Sequence, residues 1–188
     1  MKRHIKSYLI SDPNLYPKEQ KEFCSFYSKI LDTYQIDFAC YRDKSGQYNL
    51  KLLETFLKLN AKYKIPSLIN SDYDLAFRLG FDGLHCNSLQ IDLIPQAKAK
   101  NLLVFFSAHN ENELKEAFKK GADAITFSPI FHSPNKGEPL GVEELERIVK
   151  NNPHINIIAL GGIVSKEQIQ KISHIPLFAY ASIRYFVS

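Results

Sequence analysis

The sequence predicts an α/β protein, a single (β/α)8 TIM barrel filling one domain over residues 1–188, with short helices and a truncated final helix. Three observations predict it. Eight apolar runs of strand length recur, at 7–11, 36–41, 66–70, 83–86, 102–107, 124–127, 155–160 and 176–181. These runs are continuously apolar, as parallel strands covered by helices must be. Helical stretches lie between them, and alternation repeated this often implies parallel βαβ units that close on themselves. A doubly wound open sheet is the alternative, but eight strands in 188 residues fit closure better.

The helices justify themselves by periodicity and caps. Residues 49–63 place Leu52, Leu53, Phe56, Leu57 and Leu59 mostly on one face, with lysines opposite. Residues 111–120 carry Leu114, Ala117 and Phe118 on one face, and Gly121 follows as a C-cap. Residues 142–151 carry Val142, Leu145, Ile148 and Val149, and Ser165 reads as the N-cap of 166–172. After the eighth strand only a stub remains, 182–188. That edge is expected to be thinly covered, or covered by a partner subunit, which makes a homodimer an expectation.

Composition narrows the class. Hydrophobic residues make up 45% and charged residues 23%, enough for a sizeable core. The net charge of +4 comes from scattered lysines, without a basic stripe. No nucleic-acid partner is therefore expected, and a small anionic substrate suits the balance. Three cysteines (Cys24, Cys40, Cys86) show no metal or redox spacing, and their odd number favours a reducing compartment. No signal-peptide core and no apolar run approaching ~18 residues occur, so a cytoplasmic protein without a membrane partner is expected.

In a barrel of this kind the site is built from the loops that follow the strands. Strand two ends in Arg42-Asp43-Lys44, two cations that could hold an anion or form a solvated turn. Asn70 ends strand three and could orient a ring or cap a helix; His85 in strand four could bind substrate or be a satisfied core residue. His109 follows strand five and is the candidate acid/base, because a neutral-range pKa suits both proton removal and proton return. Strand six runs into a long loop in which Ser133, Asn135 and Lys136 could close over an anion as a mobile lid. Gly161 and Gly162 end strand seven, where backbone N–H groups can approach a phosphate, and Ala181, Ser182 and Ile183 at strand eight would complete the cradle. No metal-ligand cluster reads clearly.

The ordered series Tyr8-Leu9-Ile10-Ser11-Asp12, Tyr41-Arg42-Asp43-Lys44, Leu68-Ile69-Asn70, Asp82-Gly83-Leu84-His85, Ser107-Ala108-His109, Ser128-Pro129-Ile130-Phe131 and Leu160-Gly161-Gly162-Ile163 resembles the thiamine-phosphate synthase and TenI-type thiazole tautomerase family over nearly the whole chain. In the synthase branch the resemblance implies Mg²⁺-dependent joining of a pyrimidine diphosphate to a thiazole phosphate, with release of pyrophosphate. Arg42, Lys44, Asn70 and Lys136 fall on that family's diphosphate positions; Gly162, Ala181 and Ser182 fall on its thiazole-phosphate cradle.

Two departures matter. Where the family places its metal aspartates, this chain has Ser71 and the stretch Asn87-Ser88-Leu89-Gln90. Those groups replace Mg²⁺ carboxylates poorly, unless Asp72 or Asp92 substitutes by a shift in register. The tautomerase branch lacks those aspartates too and uses a histidine where His109 stands. The leading expectation is thus a metal-independent thiazole phosphate tautomerase with no cofactor. A Mg²⁺-using thiamine-phosphate synthase is the alternative, and a non-catalytic phosphate-ligand binder the third reading.

Overall fold

In the computed structural model, which describes residues 5–134 and 136–187, eight parallel strands pair in sequence order. The first pairs with the last, so the sheet closes. The strands are β1 (Lys6–Ile10), β2 (Phe38–Tyr41), β3 (Ser67–Asn70), β4 (Gly83–Cys86), β5 (Leu103–Ala108), β6 (Ala124–Phe127), β7 (Ile157–Leu160) and β8 (Ala179–Ser182). The helices between them are α1 (Gln20–Thr33), α2 (Leu50–Tyr63), α3 (Tyr73–Arg78), α4 (Leu93–Ala99), α5 (Glu111–Lys119), α6 (Gly141–Asn151) and α7 (Lys166–Ile172). The closed barrel predicted from the apolar runs is the fold observed.

Each strand serves two cores because successive side chains point to opposite faces. Leu9, Ala39, Ile69, Leu84, Val104, Ile125 and Ile157 pack outward under the helices. Tyr8, Ile10, Cys40, Leu68, Phe105, Ala124 and Ile158 fill the barrel interior. The same alternation puts His85 and Ser107 inside, near the C-terminal mouth, where both line a cavity.

The opposite end is stapled by aspartates that directly precede strands. Asp37 accepts the Ser7 N–H at 2.8 Å, Asp82 that of Ser67 at 2.7 Å, and Asp123 that of Val104 at 2.7 Å. Each carboxylate satisfies the first free donor of the neighbouring strand, which fixes register where the loops are short.

Three helices escape the periodicity reading. The first turn of α1 is polar and its N-cap Glu19 makes no side-chain bond. α3 is six residues long. α4 carries Pro95 in its first turn and also lacks a side-chain cap. The final stub is a single 3-10 turn, Tyr185–Val187. Tyr185 and Phe186 are buried and pack on Tyr34 and Tyr180. The edge expected to be thin is thus filled by aromatic rings of this same chain, which removes the argument for a partner there. Among the described residues no helix is long and apolar enough to cross a membrane.

Candidate active site

A cavity of about 570 Å³ opens at the C-terminal ends of the strands. Its floor is part apolar, from Ile10 and Leu160, and part polar, from His85 and Ser107. The Tyr8 hydroxyl lies 2.8 Å from His85 Nδ1, and His85 Nε2 lies 2.9 Å from Ser107 Oγ. Thr126 Oγ1 donates to Ser107 Oγ or to the Phe106 carbonyl, both at 3.3 Å. Burial, helped by the Arg42 charge, pushes His85 down to about 4, so the ring is neutral. A neutral imidazole has one donor and one acceptor, and here each has a partner. His85, expected to bind substrate, borders the cavity with both ring nitrogens engaged, Nδ1 by Tyr8 and Nε2 by Ser107.

One wall is cationic. Arg42 Nη1 donates to Asp12 Oδ2 at 2.9 Å, and its backbone N–H donates to Ser11 Oγ at 3.0 Å, which holds the guanidinium at the mouth. Lys44 stands beside it, and Lys136 reaches the same cavity from the loop after β6. The Arg42 charge, some burial and the Lys136 charge together lower the Lys44 pKa, so three cations crowd one region. Asn70 and Ser133 also line the cavity, whereas Asn135 lies outside the described residues. His109 is exposed and lines the rim. Its backbone N–H donates to Glu113 Oε2 at 2.8 Å, which ties it to the first turn of α5.

Across the mouth a side pocket of about 60 Å³ adjoins the cavity, and the two share Ser133, Leu160, Gly161 and Ile183. Gly161 and Gly162 lack side chains for a packing reason. A Cβ on Gly161 would sit 2.6 Å from Pro129 Cα, and one on Gly162 2.5 Å from the His132 carbonyl. Both have positive φ, 99° and 71°. The loop after β6 docks here, with Ile130 N–H donating to the Leu160 carbonyl and Phe131 N–H to that of Gly161, each at 3.0 Å. The N–H groups of Gly162, Ile163 and Ile183 have no acceptor among the described residues, and all three residues border the side pocket.

Ala181, Ser182 and Ile183, the residues of the expected cradle, all border the side pocket, and Ser182 also braces the loops. Its hydroxyl donates to the Ile163 carbonyl at 2.7 Å and accepts from Arg184 and Tyr185 N–H, so it ties loops together. Ala181 and Ser182 lie within β8, in register with Tyr8 and Leu9 of β1. Ile183, one residue further, carries the unclaimed amide. Arg184 also lines the side pocket; a cation beyond an apolar strand end was the signal in the sequence, and it was missed.

The two places where the family's Mg²⁺ aspartates would stand do meet in space. Ser71 Oγ accepts from Asn70 Nδ2 at 2.8 Å and from Asn87 Nδ2 at 3.1 Å, and Gln90 Nε2 donates to the Ser71 carbonyl at 2.8 Å. The groups are neutral and satisfy one another. Asp72 Oδ1 caps α3 by accepting the Leu75 N–H at 2.8 Å. Asp92 is 86% exposed and pairs with Lys120, away from the cavity. Asp72 lines the cavity with Oδ1 held in the cap, Asp92 lies outside it, and among the described residues no three His, Cys, Asp or Glu side chains converge on a metal position. A donor set of this kind does not fit Mg²⁺, which takes carboxylate oxygens.

A family model described as thiamine monophosphate synthase matches residues 7–185. The chain is similar to a thiamine-phosphate synthase of Lysinibacillus sphaericus, 35% identical over 105 residues, covering 54% of this chain and 49% of that protein. The match thus spans about half the length of that relative. A thiamine-phosphate synthase of Dictyoglomus turgidum is 28% identical, with 100% of this chain and 89% of that protein covered. A solved thiamine phosphate pyrophosphorylase from Pyrococcus furiosus has a TM-score of 0.79 at 25% identity, with 95% of this chain and 85% of that chain covered.

Proposed function

Because the chain belongs to the thiamine monophosphate synthase family, we propose that it is a transferase of the thiamine-phosphate synthase type, joining a pyrimidine diphosphate to a thiazole phosphate with release of pyrophosphate. One observation carries this reading. Two regions suited to anions, the Arg42, Lys44 and Lys136 wall and the amide-lined side pocket, open onto one cavity. A reaction between a diphosphate and a phosphate needs two such regions, whereas an isomerisation of one phosphate needs one.

In this reading the thiazole nitrogen bonds to the methylene carbon as the carbon–oxygen bond to the diphosphate breaks, and the bonding electrons leave with pyrophosphate. Lys44, Lys136 and Arg42 meet the growing negative charge, the type of preorganised stabilisation that lowers such barriers most. The Gly162, Ile163 and Ile183 amides, with Arg184, hold the thiazole phosphate. Ile10 and Leu160 flank the rings and exclude water, and Asn70 orients the diphosphate end. His109 sits at the rim, where it can hydrogen-bond a ring held in the cavity.

The tautomerase, the first expectation from the sequence, is the second reading. His109 at the cavity rim and the neutral Ser71–Asn87–Gln90 cluster favour it. The relatives' names and the paired anion regions favour the transferase. Incubating purified protein with each substrate alone and then with both separates them. Pyrophosphate release that needs both substrates supports the transferase. A change of the thiazole phosphate by itself, without pyrophosphate, transfers the assignment to the isomerase, and binding of either phosphate with no turnover to a non-catalytic binder.

A further inference from the structure

We infer that this chain holds the pyrophosphate end of its substrate on Lys44, Lys136 and Arg42 without a divalent cation. The identity of the substrate rests on the transferase reading; the anion site itself stands on geometry.

Each carboxylate near the site has a local partner, and Asp43 and Asp72, which also line the cavity, are engaged through Oδ1. Asp43 Oδ1 accepts the Ser45 N–H at 2.8 Å and the Ser45 hydroxyl at 2.7 Å, closing a turn. Asp72 caps α3 through the Leu75 N–H. Asp12 faces Arg42 in an ion pair at 2.9 Å. The Ser71 position is neutral, yet its φ of 64° is one that aspartate adopts readily. The backbone would therefore accept a metal ligand there, and the residue present is not one.

The charge balance points the same way. Among the described residues neither Lys44 nor Lys136 forms an ion pair. The like charges press on one another, as the lowered Lys44 pKa reflects. A polyanion placed among them relieves that repulsion, while a divalent cation arriving alone would add to it. Two unpaired lysines, beside an Arg42 already paired with Asp12, thus supply charge that a metal supplies elsewhere, and their long stems let them follow pyrophosphate as it leaves.

Calorimetry with inorganic pyrophosphate tests this on the whole purified chain, in EDTA and again in excess Mg²⁺. The expected result is saturable binding in EDTA, weakened about 10-fold or more by Lys44→Ala and by Lys136→Ala, the scale of a charge-assisted hydrogen bond. Both lysines are exposed, so neither variant disturbs the core. Binding that appears only with Mg²⁺, binding indifferent to both lysine variants, or no binding in either condition would overturn the inference. Metal-free pyrophosphate binding in a protein that fails to couple the two substrates would sink the transferase reading alone. Coupling that depends on Mg²⁺ would do the reverse.

Discussion

A histidine with both ring nitrogens bonded inside a barrel must be neutral to satisfy one donor and one acceptor, and burial sets the cost of charging it. His85 is in that position between Tyr8 and Ser107, with its pKa lowered from 6.5 to about 4. The unfolded chain binds a proton at pH values where the folded one does not. The stabilisation is therefore complete above the unfolded value and is lost as pH falls through the window between 6.5 and about 4. One such residue can contribute about 3 kcal/mol over that range. Urea unfolding at about pH 7 and about pH 4.5 should show the wild type losing more stability than His85→Gln, by a margin of that order. Equal losses would mean the ring is not held neutral.

The residue scale also divides what was readable from what was not. Arg42, Lys44 and His109 could be found in the sequence because polar groups directly after an apolar strand must lie at the barrel mouth, and Lys136 because a long loop starts there; all four line the cavity. Tyr8 could not, because a tyrosine inside an apolar run reads as core, and its hydroxyl partner stands 77 positions away. The bracing role of the Ser182 hydroxyl was unreadable for a similar reason. Its partners are backbone groups of two loops that only the fold brings together.

At the scale of elements, the segment after β6 is anchored at its base rather than free. Leu140 N–H donates to the Pro129 carbonyl at 2.9 Å and Gly141 N–H to that of Ile130 at 3.1 Å, in addition to the two bonds to β7 and Gly161. The lid expected from its prolines and glycines would therefore have only the stretch beyond Phe131 and before Leu140 in which to move. Hydrogen exchange should find the Ile130, Phe131, Leu140 and Gly141 amides protected and the Gly137 amide rapid. Gly162→Ala should raise exchange at Phe131 and destabilise the protein by about 1–3 kcal/mol, since its Cβ has no room and its φ is positive. Uniformly fast exchange from 130 to 141 in the wild type would refute the anchored base.

Helices divided by apolar periodicity more than by caps, since α6 was readable without a side-chain cap and the six-residue α3 was not despite Asp72. Asn49 and Ser165 accept a backbone N–H at the starts of α2 and α7, and both helices were readable. α1 and α4 begin without a side-chain cap, α4 with a proline in its first turn. They form because the strands on either side require a right-handed crossover, a tertiary demand that no local signal carries.

At the scale of the molecule, closure was legible because eight apolar runs allow one economical arrangement, and short strands let a barrel form from 188 residues. Closure places the end of β2 across the mouth from the neighbouring ends of β6, β7 and β8, and the loop after β6 carries Lys136 over towards Lys44. The sequence could name residues for each group, but not how the two groups face one cavity. That facing arrangement is the central claim. A crystal structure of the protein soaked with inorganic pyrophosphate and a thiazole phosphate together tests it most directly. The account predicts two separate phosphoryl densities, one against Lys44 and Lys136 and one against the Gly162 and Ile183 amides. A single shared density, or both anions outside the cavity, would contradict it.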